Sequence, residues 1–276
     1  MTIKSRRVLK IYHSLDREQI QLVIDKKFEG KYSMDQWLNK LRKLAVMDTL
    51  GDDTRQNSAS LLIVFGIFTV FTLVLTISKP FLFFFPIGFF LLFFYFLIMY
   101  ITLNKIDIGN HLRLFIVPLL EKLQKKSIVG DPFYLKMDFS NPINKKNLMK
   151  ETKGKKIYKH PWMHGELTFN DQVNITWEIE DIVKERDRSL QDNSTQMDLK
   201  KKNLITHQLS MYFNVPKDLF EIHEKESAVT DMGDYFQIRI SREDTSNSID
   251  EGMVPSVFLD TIEEGYRKIK KKKELT

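Results

Sequence analysis

Two apolar runs dominate the pattern of this chain. Residues 61–77 read LLIVFGIFTVFTLVLTI and residues 81–103 read FLFFFPIGFFLLFFYFLIMYITL, and Lys79 is the only charged residue between Arg55 and Lys105. As helices the runs would extend roughly 26 and 35 Å, against a bilayer hydrocarbon core of about 30 Å. A charge at the centre of such a helix costs about 2.5–3.5 kcal/mol on insertion scales, so two long charge-free runs predict a transmembrane hairpin with spans at 59–78 and 81–103. Soluble core helices keep a polar face, which these runs lack. A cleaved signal peptide is not expected, because the first run begins some 60 residues into the chain.

The pattern before the hairpin is helical. Ser14 is placed to cap a helix carrying Ile20, Val23, Ile24 and Phe28 on one face, with Gly30 ending it. Ser33 and Gln36 fit a capping box for a second helix with Trp37, Leu38, Leu41, Leu44 and Ala45 inward, and GDDTRQNS then links to the membrane. This arm (1–58) either packs on the C-terminal domain or lies on anionic lipid. After the hairpin, residues 105–126 repeat apolar residues at helical spacing around Pro118, which should kink or restart the helix. This segment is expected to lie along the membrane surface or to bridge to the domain beyond it.

From residue 127 the period changes to two. Alternation over 133–139, 162–169, 173–182, 203–213 and 235–241 predicts strands, with a turn at Asn170–Gln172 and a long hairpin whose tip is the polar stretch 191–202. Residues 141–156 are lysine-rich and expected to be loop. Residues 254–273 predict one helix, with Val257, Phe258, Ile262 and Ile269 inward. The expected fold is thus a membrane α-helical hairpin plus an α+β soluble domain (127–276), built as an antiparallel β-sheet or small barrel with a C-terminal helix.

Charge sharpens the picture. The chain carries 42 Lys and Arg against 36 Asp and Glu, a net +6. Residues 1–58 hold 12 against 8, whereas 104–276 hold 29 against 28, so the excess lies on the arm. Nucleic-acid binding, which needs a basic stripe on the binding domain, is not expected. Basic residues crowd both outer flanks of the hairpin and the turn at Ser78–Pro80 is too short to hold a domain, so both termini are expected in the cytoplasm. That orientation makes the sequons at Asn174 and Asn193 chance matches. Lys40, Arg42, Lys43, Lys122, Lys125, Lys126, Lys270, Lys271, Lys272 and Lys273 are candidate contacts for anionic lipid headgroups. The nine phenylalanines between Phe81 and Phe96 suit a lipid-facing anchor or, with Gly66 and Gly88, an oligomer interface.

Candidate chemistry is sparse. With no cysteine in the chain, thiolate metal sites, iron–sulfur clusters and Cys nucleophiles are excluded. His160 and His164 are the most metal-like pair, but residues four apart on a strand lie about 13 Å from each other. No catalytic residue, metal or cofactor is assigned. The segment KIYKHPWMHGELTFNDQVNITWEI, with Tyr158, Pro161, Trp162 and Leu167, resembles a segment of bacterial two-pass membrane proteins that carry an aromatic-rich hairpin before a β-rich domain; the resemblance covers roughly 61–213 and implies architecture without an activity. The functional expectation is a membrane-anchored, non-enzymatic binding or scaffolding module at the cytoplasmic face of the cell membrane, with a protein partner or a second copy of itself. The alternatives are a membrane-bound enzyme whose site is built from dispersed carboxylates and, third, an oligomeric channel component.

Overall fold

The structure, a computed structural model, describes residues 3–125, 132–152, 155–186, 204–223, 229–246 and 252–272. The chain forms two compact units. One comprises residues 1–24 and 43–108, the other 25–42 and 109–276.

The first unit is helical. It holds α1 (Ile3–His13), α2 (Arg17–Asp25, up to residue 24), the greater part of α3 (Met34–Ser78) and α4 (Phe84–Ile106). Ser14 closes α1 rather than opening α2: its N–H and hydroxyl both donate to the Ile11 carbonyl. The cap of α2 is a reciprocal pair, Gln19 N–H to Asp16 Oδ1 at 2.8 Å and Asp16 N–H to Gln19 Oε1 at 3.0 Å. The largest departure from expectation is α3. The polar stretch GDDTRQNS is no linker, because the helix runs through it without a break for 45 residues. Its hydroxyls are satisfied inside the helix: Thr54 donates to the Leu50 carbonyl and Ser58 to the Thr54 carbonyl, each at 2.7 Å. Thr69, Thr72 and Thr76 repeat this device in the apolar part.

Among the described residues, two helices are long and apolar enough to cross a membrane. The most apolar 18 residues of α3, and those of the segment 81–106, each have a mean hydropathy of 2.6 and are almost wholly uncovered by protein. Lys79 separates α3 from a short 3-10 turn (Pro80–Phe83) that leads into α4. The helices meet through stacked rings, Phe65 on Phe96 at 5.4 Å and Phe68 on Phe89 at 5.4 Å. Gly66 faces Phe93 of the same hairpin, while a Cβ at Gly88 would meet no other described residue within 4 Å beyond its own helix.

The second unit is built on an eight-stranded antiparallel sheet with the order β1-β2-β4-β5-β6-β9-β8, β3 pairing on β4. The strands are β1 (Lys27–Tyr32), β2 (Phe133–Asp138), β3 (Leu148–Thr152), β4 (Lys155–Thr168), β5 (Asn174–Arg186), β6 (Leu204–Pro216), β8 (Val229–Asp231) and β9 (Tyr235–Ser246); β7 (Phe220–Ile222) pairs separately with β10 (Ile269–Lys271). The order begins at β1 and ends at β8, so of the two sheet expectations the open sheet applies, not the barrel. The five predicted strands are present, and Gln172 takes φ +70° in the turn joining β4 to β5. The tip expected at 191–202 lies outside the described residues.

Three predicted elements are corrected. Phe28 and Gly30 sit in β1, which pairs with β2 from Lys27↔Asp138 to Tyr32↔Phe133. The expected loop at 141–156 contains β3 and the start of β4. The C-terminal helix, α6 (Pro255–Arg267), stops early, and Ile269–Lys271 turn back as a strand. The Ser33–Gln36 capping box is present, with 3.0 and 3.4 Å reciprocal bonds.

One face of this sheet is apolar and covered. After α4 the chain enters a π-helical turn (Leu112–Ile116) and then α5 (Val117–Lys125), so Pro118, which offers no N–H, falls where the helix has already been rewound. Phe115 packs edge-on to Trp162 at 5.6 Å and to Phe258 of α6 at 6.3 Å. Leu112, Phe115, Leu119, Leu120 and Leu123 are buried in this unit, so of the two expectations for this segment the one that joins it to the β-rich domain fits, with its apolar face turned to the sheet. Trp37, on the first turns of α3, is buried against Phe133 and donates its indole N–H to the Phe133 carbonyl at 3.3 Å.

Gly265 marks the closest approach of α6 to the sheet. A Cβ there would lie 2.2 Å from the Phe213 ring. Gly→Ala in a helix normally stabilises by about 1 kcal/mol, but overpacking a core costs about 1–3 kcal/mol. Gly265→Ala is therefore expected to lower stability despite the gain in helix propensity, a sign that urea unfolding in detergent checks directly.

Candidate functional site

The inward positions of β5 and β6 are apolar with two exceptions. On β5 the buried phase reads Ile175, Trp177, Ile179, Asp181 and Val183; on β6 it reads Ile205, His207, Leu209, Met211 and Phe213. Asp181 and His207 are direct cross-strand partners in the register. Asp181 is 1% exposed and His207 not at all. The His207 Nδ1 lies 2.7 Å from Asp181 Oδ1.

Three further side chains converge on this pair. Trp162 donates its indole N–H to Asp181 Oδ1 at 3.1 Å. It reaches inward because β4 carries a β-bulge between Pro161 and Met163, which also accommodates the missing N–H of Pro161 in a central strand. His111, at the start of the π turn, stacks on the Trp162 ring at 4.4 Å and places Nε2 3.5 Å from Asp181 Oδ2. The other nitrogen of His111, Nδ1, is buried without a hydrogen-bond partner among the described residues, and the Gly252 backbone passes so close that a Cβ there would come within 2.5 Å of it. Ser246 ends β9 opposite Ile205, two residues from His207, and its Oγ is 3.0 Å from His207 Nε2.

Burial alone would raise the pKa of Asp181. Its hydrogen bonds to His111 and His207 outweigh that, and hold the carboxyl down at about 2. An ionised carboxylate only accepts, so His207 Nδ1 carries the hydrogen. In neutral His207, Nε2 is then the acceptor for the Ser246 hydroxyl. The arrangement can hold a charge away from water, fix an imidazole tautomer and draw a proton from a hydroxyl.

A second acidic group lies in the helical unit. Carboxylate oxygens of Asp48, Asp52 and Asp107 fall within 4.8 Å of one another. Arg55 pairs with Asp52 at 2.7 Å and with Asp107 at 2.5 Å, and Asp48 Oδ1 accepts the Ile108 N–H at 3.1 Å. Burial would lower the pKa of Arg55, but its hydrogen bond to Asp107 and the charges of Asp107, Asp52 and Asp48 raise it. The guanidinium thus supplies the positive charge this group needs, and ties α3 to the end of α4.

The histidines singled out in the sequence fall on opposite faces of β4. His160 is buried opposite Asp181, with Nδ1 accepting from the Asn147 amide at 3.2 Å and Nε2 donating to the Asp138 carbonyl at 3.1 Å. His164 pairs with Glu178 on the outer face and meets the Tyr134 ring.

The lysines expected at lipid are spread over several elements. On α3, Lys40 sits 5.0 Å over the Tyr32 ring, Arg42 pairs with Glu121 at 3.0 Å, and Lys43 donates to the Ser14 carbonyl. Lys122 and Lys125 are exposed on α5. Lys270 and Lys271 lie in β10, and Lys272, one residue past it, donates to the Lys217 carbonyl at 2.7 Å. Lys126 and Lys273 lie outside the described residues. A surface pocket of about 330 Å³ is lined by Lys31, Phe133, Tyr134, Glu166 and Thr168, none of which belongs to the Asp181 network.

The sequence reading missed Asp181, His207, His111 and Ser246. A signal was present for the first two: an acid and a histidine each stand in the apolar phase of an alternating strand. No protein-family model matches the chain, and neither a curated protein nor a solved structure does.

Because the folded-state pKa of Asp181 is depressed, its contribution to stability is present above the unfolded value and lost as pH falls through the folded one. The expected loss is about 2 kcal/mol between roughly pH 4 and pH 2. In urea titrations of the full chain, the stability gap between wild type and Asp181→Asn should narrow over that window and stay constant from pH 5 to 5.5.

Proposed function

We propose that the chain is a membrane-anchored protein whose helical hairpin holds the β-rich unit at the cytoplasmic face of the cell membrane, with both termini in the cytoplasm. The observation that carries this reading is the uncovered hairpin: two helices of mean hydropathy 2.6 with almost no protein over their apolar windows. In water such a surface far exceeds the apolar patches of soluble monomers. The orientation rests on the basic flanks at Lys40, Arg42, Lys43, Arg55, Lys105 and Lys122 and on the single-lysine turn. Lys122 and Lys125, exposed on α5, are the residues best placed to meet anionic headgroups, because they carry no ion pair among the described contacts, whereas Arg42 is paired with Glu121.

Two readings describe what the unit does at the membrane. As a binding or scaffolding module it displays the outer face of the sheet and its β1 and β8 edges to a protein partner or a second copy. As a membrane-bound enzyme it uses the network around Asp181, and the alignment of Ser246, His207 and Asp181 favours this second reading with named residues.

The absence of cysteine makes topology measurable without background. Lys79→Cys in the hairpin turn is expected to react with a membrane-impermeant maleimide on intact cells. Met149→Cys, whose site is 71% exposed, should react only after permeabilisation. Equal labelling of both on intact cells would exclude the hairpin orientation.

A further inference from the structure

Three strands of the sheet bring a hydroxyl, an imidazole and a carboxylate into line. Ser246 Oγ lies 3.0 Å from His207 Nε2, and His207 Nδ1 lies 2.7 Å from Asp181 Oδ1. These are the separations at which a general base serves a nucleophile and a third group orients the base. Such a triad is recognised by geometry and roles, not by chain order. We propose that Ser246 is the nucleophile of an acyl-transfer centre, with His207 as its general base and Asp181 as the positioning residue, acting on a carboxylic ester.

The side chains are suited to these parts in different ways. His207 and Asp181 are closed off from water, so the imidazole keeps one tautomer and one orientation. Ser246 is the member with solvent exposure, at the end of its strand, where an ester could reach it. Trp162 and His111 act on Asp181 rather than on substrate. The indole N–H and the His111 ring fix the carboxylate without competing for His207 Nε2. All three triad members stand on neighbouring strands, β5, β6 and β9, and rigid elements hold such geometry better than loops do.

The reaction balances with water as the second reactant. Ser246 Oγ forms a bond to the ester carbonyl carbon as its proton passes to His207 Nε2. The carbon–oxygen bond to the alcohol then breaks, and the alcohol leaves with that proton. Water attacks the acyl-serine, giving its proton to Nε2, and the carboxylic acid departs as Ser246 regains its hydrogen.

This inference rests on the enzyme reading above and is independent of membrane orientation. The test uses the purified full chain in detergent with a fluorophosphonate probe, which forms a stable bond only with an activated serine, and follows p-nitrophenyl acetate turnover in parallel. The expected result is label on Ser246 by peptide mass spectrometry, none on Ser246→Ala, and labelling slowed about 10³-fold in His207→Gln. Should His207→Gln not fold, a second variant decides. In this cysteine-free chain, Ser246→Cys should be alkylated by iodoacetamide at pH 6.5 at least about tenfold faster than Ser241→Cys on the same strand, because a thiol beside an imidazole is ionised where an ordinary one is not. Ester turnover with no label on Ser246 would overturn the assignment and leave the enzyme reading standing. Neither label nor turnover from a chain with a cooperative melt would overturn both. Equal alkylation of the two cysteine variants would also overturn the assignment.

Discussion

A carboxylate without water determines how the sheet-bearing unit is assembled. Asp181 is 1% exposed in the apolar face of an antiparallel sheet. An isolated ion there would cost far more than the net stability of a domain, so it must be neutralised or surrounded by donors. Each donor it recruits comes from a different element: His207 from β6, Trp162 from the bulge in β4, His111 from the turn that follows the second apolar helix. The bulge, the proline within it and the π turn are local irregularities, and each is placed where it lets a side chain reach this one oxygen pair. Apolar contacts then close around the network, with Phe115 bridging Trp162 and Phe258.

The hairpin obeys a different constraint. In hydrocarbon every backbone polar group must be satisfied within the segment, and so must every hydroxyl. The threonines of α3 meet this by donating to carbonyls four residues back, and the two helices meet through stacked phenylalanine rings instead of polar groups. No acid, base or histidine lies within the spans. Proton relays and coupled transporters usually place such groups within their spans.

How much of this was legible follows from the range of each interaction. The spans were legible because hydropathy over twenty residues is a local property. Five strands were legible because alternation is local too. The strands β1, β3, β7, β8 and β10 were not, since they are defined by their partners: β1 exists because residues 27–32 find β2 a hundred positions away. The polar run GDDTRQNS looked like a linker because its side chains favour loops in isolation; inside α3 they bond back to their own helix or, as Asp52 does, to Arg55. The Asp181 network was hidden for a further reason. Its members are spread from residue 111 to 246, and only the phase of Asp181 and His207 within their strands hinted that something polar stood in the core. Ser246 and His111 left no such mark.

Stability alone does not account for keeping this network. Replacing a buried ion pair with apolar residues of similar volume is often neutral or stabilising by about 1–4 kcal/mol. The sheet instead tolerates a proline and a bulge in β4 and leaves the Nδ1 of His111 buried without a partner among the described residues. A network kept only to specify the fold would be best closed on every side. This one reaches a half-buried serine at the end of β9, whose hydroxyl faces the imidazole nitrogen of His207 that the carboxylate-fixed tautomer leaves basic. The direction of the hydrogen bonds, from Ser246 through His207 to Asp181, runs from solvent toward the buried charge. In this arrangement the hydroxyl has an imidazole nitrogen that can accept its proton, while the carboxylate holds the ring in place.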